Sequence, residues 1–189
     1  MQGGQTYDYI VVGAGSAGAV VASRLTESGA HRVLLLEAGT KGSNFFWSKV
    51  PVGVSKMIDD PAVNWCYESE PDEGSGGRRI AVPRGRMLGG SSSINGMVYI
   101  RGQAQDYDHW AQLGNRGWSW QDVLPVFKRM ERFEGGSDEF RGRNGILPVT
   151  HTPRNKVPLL EKIIEAAERM GLPYNPDQNG ATQEGIGMS

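Results

Sequence analysis

The glycine pattern Gly13-Ala-Gly-Ser-Ala-Gly18 is the feature that most constrains the fold, because the hydrophobic pattern changes across it. A β-branched and aromatic run at 7–12 precedes it, and apolar residues at helical spacing follow it as far as Leu25. This order predicts a strand, a tight turn and a helix. Gly29 suits the end of that helix, and the apolar run at 32–36 is typical of a buried parallel strand. We therefore predict a βαβ unit and an α/β fold.

The spacing of these glycines is also that of a dinucleotide-binding turn. Gly13 permits the tight turn, Gly15 lets the backbone approach a pyrophosphate, and Gly18 lets the helix pack closely on the strand. The anion would bind the free amides at the helix N-terminus. Glu37 ends the second predicted strand, where a carboxylate accepts hydrogen bonds from ribose hydroxyls. The alternative is an ordinary turn followed by a surface glutamate, and the pattern suits NAD and FAD equally.

A second glycine-rich stretch is Gly85-Arg-Met-Leu-Gly-Gly-Ser-Ser-Ser-Ile-Asn-Gly-Met-Val-Tyr-Ile-Arg-Gly102. Glycine makes up 27 of the 189 residues, about twice its average share, without the Gly-X-Y period of collagen. The excess therefore belongs in turns and close approaches. A solvent loop would not continue into the apolar run at 97–100. We interpret this stretch as backbone shaped around a ligand.

This stretch resembles the first signature of the glucose-methanol-choline family of FAD-dependent alcohol oxidoreductases, with Asp108 following at the matching distance. The similarity runs from about residue 6 to the end, and is strongest to bacterial choline and aliphatic alcohol dehydrogenases. It implies a Rossmann-like FAD-binding fold and hydride transfer from an alcohol carbon to flavin N5. Other matching segments are 7–18, 36–39, 64–65 and 106–110.

The resemblance implies a set of cofactor-binding residues, with the stretch 95–98 beside the flavin ring. Arg86 would neutralise phosphate, or is simply a surface arginine. Some relatives bind FAD covalently through a histidine directly before the asparagine, where this chain has Ile94, so we expect non-covalent FAD. The predicted cofactor-binding residues are Gly13, Gly15, Ser16, Ala17, Gly18, Glu37, Ala38, Trp65, Arg86, Gly90, Ser91, Asn95, Gly96, Met97 and Val98.

No catalytic residue is predicted within this chain. Alcohol oxidation needs a base, and histidine suits that task, but His31, His109 and His151 all fit surface positions. In the family the base lies near the C-terminus of a much longer chain. Only two strong parallel strands are evident, whereas a doubly wound sheet needs about five or six. We expect the chain to be an N-terminal part, whose sheet a C-terminal portion or a second chain completes.

We expect the chain to divide into three regions. These are a βαβ unit at 6–40, the remaining FAD-binding region at 41–150 including the loop 84–102, and the start of a substrate domain at 151–189. No clear period is visible from 40 to 77, which predicts loops. Further predicted elements are helical turns at 106–113, a helix capped by Ser119 and Asp122 with Pro125 inside it, a strand at 146–150 and an amphipathic helix at 157–170.

Charge and composition exclude several partners. The 20 basic and 21 acidic side chains nearly cancel, so nothing draws the protein to nucleic acid or an anionic membrane. The most apolar window, 9–22, is too short to span a membrane, and the lone Cys66 suits a reducing compartment, so we expect a cytoplasmic protein. We assign no metal site.

The alcohol, the electron acceptor (oxygen, quinone or another) and the oligomeric state stay open. Two other functions also stay open: a non-catalytic flavin-binding module or truncated relative, and a nicotinamide-dependent dehydrogenase.

Overall fold

The computed structural model describes residues 5–42 and 46–187. The chain forms two compact units, Met1–Met97 and Val98–Ser189. The region boundaries after residues 40 and 150 that the sequence suggests remain predictions. Within the described residues, no helix is both long and apolar enough to cross a membrane.

The first unit begins with the predicted βαβ arrangement. Strand β1 (Tyr9–Val12) leads through a glycine turn into helix α1 (Ser16–Thr26), and strand β2 (Val33–Leu36) follows. The two strands pair in parallel, with Tyr9 opposite Val33 and Val12 opposite Leu36. Both changes of hydrophobic period therefore coincide with changes of structure, and the βαβ prediction is confirmed.

The buried hydrophobic cluster of the first unit contains no residue of this two-stranded sheet. Ile10 is 61% exposed and Val12 81% exposed, and Leu35 and Leu36 of β2 are also exposed. The full burial that the sequence predicts for 32–36 is not seen, because Val33 and Leu34 are only half-buried. A side chain of a strand is buried only where another element covers that face of the sheet. The buried hydrophobic cluster forms instead under the loops that follow, from Met57, Val63, Met87 and Ile94.

The segment between β2 and the second glycine stretch is mostly irregular, as the sequence predicts. It contains the short helix α2 (Val54–Met57) and an antiparallel pair of two-residue strands, β3 (Tyr67–Glu68) and β4 (Ala81–Val82). Single turns of 3₁₀ helix lie at Phe46–Lys49, Pro51–Gly53, Glu73–Ser75 and Gly90–Ser93.

The second unit contains the three helices that the sequence predicts. These are α3 (Ala104–Gln112), α4 (Trp120–Met130) and α5 (Pro158–Arg169). The predicted strand at 146–150 is shorter, because β6 (Leu147–Pro148) pairs in parallel with only two residues of β5 (Glu131–Arg132). A 3₁₀ turn at Arg154–Lys156 precedes α5.

Local chemistry explains where α4 begins and how it meets α3. The Asp122 carboxylate accepts the Ser119 N–H at 3.1 Å, which confirms the predicted cap. Asp108 of α3 accepts the Trp120 N–H at 2.9 Å, so one carboxylate of α3 satisfies a free amide of α4. The rings of Tyr107 and Trp120 stack with centroids 5.7 Å apart. Pro125 lies within α4 without ending it.

Candidate functional site

The turn between β1 and α1 depends on two glycines for its own geometry. Gly13 has a φ of +93°, a left-handed conformation that side chains rarely adopt. Its N–H donates to the carbonyl of Leu36 at 2.7 Å, which ties the turn to the end of β2. A Cβ at Gly18 would overlap the carbonyl oxygen of Gly13. These are the roles that the sequence predicts for Gly13 and Gly18.

Gly15 differs from them because the protein leaves space beside it. It is the N-cap of α1, with a φ of −73°, and a Cβ there would contact only the Cα of Gly90, at an ordinary 3.8 Å. Among the described residues no side chain caps this end of α1 and no acidic residue lies in its first turn. Ser16 and Ala17 are exposed. The partly positive end of the helix is therefore open to an anion.

Glu37 holds the glycine turn in place from the end of β2. Its Oε2 accepts the N–H of Ala14 at 2.8 Å, and its Oε1 accepts the N–H of Gly39 at 2.9 Å. The role of Glu37 as a ribose partner stays a prediction, and sequence reasoning did not predict its hydrogen bonds to the turn. A carboxylate has about four acceptor positions, so these two bonds leave capacity for ribose hydroxyls. Ala38, between Glu37 and Gly39 in the sequence, is exposed.

The two glycine-rich stretches, far apart in sequence, pack directly against each other. The N–H of Gly89 donates to the carbonyl of Ala14 at 2.8 Å. Gly90 has a φ of +55°, and a Cβ there would come within 2.8 Å of the Cα of Gly15. Glycine at position 90 is thus required by backbone-to-backbone contact.

Two more glycines have the same explanation. A Cβ at Gly39 would overlap the backbone of Arg86, and one at Gly85 would overlap the backbone of Gly90. The interpretation of the second stretch as backbone shaped around a ligand is therefore incomplete, because close packing within the protein itself requires glycine at some of these positions.

The serines of the second stretch are largely occupied with their own loop. The hydroxyl of Ser92 donates to the carbonyl of Gly89 at 2.6 Å, and that of Ser93 donates to the carbonyl of Leu88 at 2.9 Å. Ser91 is different, because its oxygen accepts the N–H of Gly85 at 3.1 Å. Its hydroxyl proton has no acceptor among the described contacts, so Ser91 retains a donor for a ligand.

The stretch after these serines adopts a strained turn. Met97 has a φ of +60°, although it is not glycine, and its N–H donates to Oδ1 of Asn95 at 2.9 Å. That bond stabilises a conformation that a residue with a side chain otherwise avoids. A Cβ at Gly96 would contact nothing, and Met97 is 60% exposed. Val98, also exposed, begins the second unit.

A cleft of about 360 Å³ lies beside this turn, in the first unit. Ser92, Ser93, Asn95 and Met97 line one part of it, and residues from the segment 48–57 line the rest. The sequence did not predict that residues from 48–57 line this cleft. The segment has mixed composition and no period, so its sequence contains no signal that would place it beside the turn.

Arg86 and Trp65 form a stacked pair. The guanidinium carbon of Arg86 lies 5.3 Å from the centroid of the Trp65 ring, which in turn stacks on Tyr67 at 5.9 Å with an interplanar angle of 7°. Nε of Arg86 is buried without a hydrogen-bond partner among the described residues. A buried unmatched donor is unfavourable in a protein alone, and it suits a site that an anion completes.

The side chain of Asn64, next to Trp65, holds the surrounding backbone by hydrogen bonds. Asn64 was not predicted as a functional residue. It is 3% exposed, and its Oδ1 accepts the N–H groups of Arg84 at 2.8 Å and Cys66 at 3.1 Å. Its Nδ2 donates to the carbonyl of Ile58. A side chain that satisfies three backbone groups fixes the path of the chain on both sides of Trp65.

None of the three histidines lines this cleft. His31 is exposed and lies edge-on to Tyr9 with ring centroids 5.1 Å apart, and His109 and His151 are exposed in the second unit. In the part of the chain that the structure describes, no group of three or more His, Cys, Asp or Glu side chains could hold a metal ion.

Comparison with known proteins shows the family. The model of the GMC oxidoreductase family matches residues 7–189. The oxygen-dependent choline dehydrogenase of Vibrio vulnificus is 47% identical over 186 residues, which are 97% of this chain and 33% of that protein. Pyridoxine 4-oxidase from Mesorbium loti has a TM-score of 0.84 at 35% identity, over 92% of this chain and 34% of that one. An FAD-dependent oxidoreductase from Chaetomium thermophilum has a TM-score of 0.75 at 33% identity, over 92% and 31%.

The chain belongs to the GMC oxidoreductase family. Its fold is that of the Rossmann-like FAD-binding part at the N-terminus of these enzymes, so the predicted fold class is confirmed, as is FAD as the cofactor of the family. The chain spans about a third of the length of the curated relatives that it matches. Which of its residues contact the cofactor, and that the cofactor is held without a covalent bond, stay predictions.

Proposed function

We propose that this chain binds FAD non-covalently and serves as the FAD-binding part of an enzyme that oxidises a small alcohol. The observation that carries the proposal is the open N-terminus of α1 at Gly15, with the carboxylate of Glu37 hydrogen-bonded to the adjacent turn. Anions bind well at such helix ends, and the carboxylate suits a ribose without a phosphate. Membership of the GMC oxidoreductase family favours FAD over NAD as the bound dinucleotide.

Each part of the cofactor has a matching part of the chain. The pyrophosphate would take the amides of the turn at 15–17, and Glu37 would accept the ribose hydroxyls. Arg86 would supply positive charge through its unmatched Nε, and Ser91 a hydroxyl donor. The stretch 95–98 would lie along the flavin ring, whose N5 accepts the hydride of the alcohol carbon when the group is bound.

The non-covalent attachment rests on Ile94. This residue stands directly before Asn95, is 5% exposed and packs in the hydrophobic cluster with Met57, Val63 and Met87. An aliphatic side chain in a core offers no nucleophile to a flavin. The residues present therefore fit FAD as a dissociable ligand.

The substrate class comes from the relatives. Several of those with 43–47% identity are named oxygen-dependent choline dehydrogenase, and we propose a small alcohol of this kind as the substrate. Removing the hydroxyl proton needs a base. Because none of the three histidines is among the residues that line the cleft, we propose that the base of the whole enzyme is supplied by another part of the protein. The single cysteine, which cannot form a disulfide within this chain, supports a cytoplasmic location.

Titration of the purified protein with FAD, NAD⁺ and NADP⁺ tests the proposal, with flavin fluorescence and calorimetry as readouts. We expect binding of FAD alone. Preferential binding of a nicotinamide dinucleotide would overturn it. Alcohol turnover with an artificial electron acceptor, measured on the whole FAD-loaded enzyme, then separates an oxidoreductase from a non-catalytic flavin-binding module.

A further inference from the structure

In the second unit, the backbone from Tyr99 to Arg101 is held by side chains that come about 80 residues later. Oδ1 of Asn179 accepts the N–H of Arg101 at 2.7 Å, and its Nδ2 donates to the carbonyl of Tyr99 at 2.8 Å. Nε2 of Gln183 donates to the carbonyl of Arg101 at 2.5 Å. This part of the chain is in neither a helix nor a strand. Side-chain hydrogen bonds therefore satisfy backbone groups that a neighbouring strand would otherwise satisfy.

The side chain of Arg101 is fixed as well. It donates from Nη2 to Glu131 at 2.7 Å and from Nη1 to the carbonyl of Phe140 at 2.6 Å. Glu131 is fully buried, and it also pairs with Arg141 at 2.5 Å. Both arginines are themselves more than nine-tenths buried.

The two sets of contacts form one closed circuit. Arg141 pairs with Asp177 at 2.5 Å, and Oδ1 of Asp177 accepts the N–H of Asn179 at 3.1 Å. The circuit therefore runs from the Arg101 side chain through Glu131, Arg141, Asp177 and Asn179, and returns to the Arg101 backbone. The two arginines and two acids balance in charge.

A buried circuit of this kind is a poor source of stability, because desolvation of the charges offsets most of their attraction. It does fix geometry, since each member has several partners. The geometry that it fixes is the path of the backbone that begins at Val98, the last of the predicted flavin-contacting residues. Ordering this backbone before binding lowers the entropic cost of binding a ligand against it.

We infer that Asn179 is a positioning residue for the flavin half of the cofactor, acting through the backbone of Tyr99 and Arg101 on Val98. This inference rests on the proposed function. It predicts that loss of the Asn179 carboxamide weakens the binding of FAD but not of ADP, which carries the adenosine and pyrophosphate without the flavin.

Asn175 provides a matched control. It is an asparagine of the same loop, and both residues are 8% exposed. Its Nδ2 donates to the carbonyls of Thr182 and Glu184, and its Oδ1 accepts the N–H of Asp177, so its bonds stay within the loop. Asn175→Ala therefore disturbs the same loop without cutting a bond to Tyr99 or Arg101.

The experiment measures the dissociation constants of FAD and ADP on the full chain and on the variants Asn179→Ala, Asn175→Ala and Gln183→Ala. With two hydrogen bonds lost, Asn179→Ala should raise the FAD constant roughly five- to tenfold and leave the ADP constant unchanged. Gln183→Ala, which loses one bond, should shift the FAD constant less and in the same direction. Asn175→Ala frees the N–H of Asp177 but cuts no bond to Tyr99 or Arg101, so it should change the ratio of the two constants much less than Asn179→Ala does.

The outcomes separate the two proposals. A wild-type chain that binds no FAD overturns the proposed function, and this inference with it. A wild-type chain that binds FAD overturns the inference alone if the FAD-to-ADP ratio is unchanged in Asn179→Ala, or changes equally in Asn175→Ala. If Asn179→Ala does not fold, the same comparison is decided by Gln183→Ala.

Discussion

Gly15 and Gly90 lie against each other, yet the structure predicts opposite results when each is replaced by alanine. Gly90 has a φ of +55°, and a Cβ there would lie 2.8 Å from the Cα of Gly15. The left-handed conformation costs an alanine roughly 1–2 kcal/mol and the overlap about 1–3 kcal/mol more. Gly90→Ala should therefore destabilise the fold by about 2–5 kcal/mol.

Gly15→Ala should leave the fold almost unchanged. Its φ of −73° suits alanine, and the new Cβ would meet the Cα of Gly90 at an ordinary 3.8 Å. Alanine is a poorer N-cap than glycine by roughly 0.5–1 kcal/mol, but it lowers the entropy of the unfolded chain by a similar amount. The added methyl group does, however, occupy the approach to the α1 amides. Each charged hydrogen bond lost is worth about 1.5–3 kcal/mol, so the FAD dissociation constant should rise roughly ten- to a hundredfold.

Urea unfolding of both variants without cofactor, followed by FAD titration of the folded protein, measures the two effects separately. We expect stability to fall in Gly90→Ala alone and FAD affinity to fall in Gly15→Ala without loss of stability. Wild-type FAD affinity in Gly15→Ala would refute the assignment of this turn to the pyrophosphate. Equal destabilisation by the two substitutions would refute the distinction between them.

Three further predictions concern single residues. Glu37→Gln leaves one of two backbone amides without a good acceptor, so it should lower the stability of the cofactor-free protein by about 1–3 kcal/mol as well as weaken FAD binding; unchanged stability in urea would contradict its role in holding the turn. Glu131→Gln removes the anion between two buried arginines and should cost about 3–5 kcal/mol, whereas Glu27→Gln, which breaks an exposed pair with Arg24, should cost under about 1 kcal/mol in the same assay. Because Ile94 offers no nucleophile, acid denaturation and filtration should release all the flavin, and flavin retained by the polypeptide would contradict non-covalent binding.

The elements that the sequence predicts well are those set by local pattern. The strand, turn and helix of 9–26 follow changes of hydrophobic period, and the start of α4 follows the Ser119 and Asp122 cap. Exposure of β2 could not be predicted in this way. An apolar run specifies a strand, but its burial depends on which other elements cover it.

The buried charged circuit and the part of the cleft formed by 48–57 could not be predicted from local sequence pattern. Arginine and glutamate are surface residues in most proteins, so nothing in the sequence marks Arg101, Glu131 and Arg141 as buried. Their contacts join residues 10–40 positions apart, and those of Asn179 span about 80. The segment 48–57 likewise meets Asn95 and Met97 only through the folded chain.

The glycines, finally, can be sorted by the structure in a way that composition does not allow. Gly13, Gly18 and Gly90 are required by the chain itself, through a left-handed backbone or a close approach to other backbone atoms. Among the glycines in residues 5–42 and 46–187, only Gly15 and Gly96 combine a φ that alanine tolerates with no contact closer than ordinary van der Waals distance. The fold does not need glycine at either position. Both are predicted cofactor-binding residues, one at the pyrophosphate and one at the flavin, and a ligand against the backbone would explain the absence of a side chain at each position.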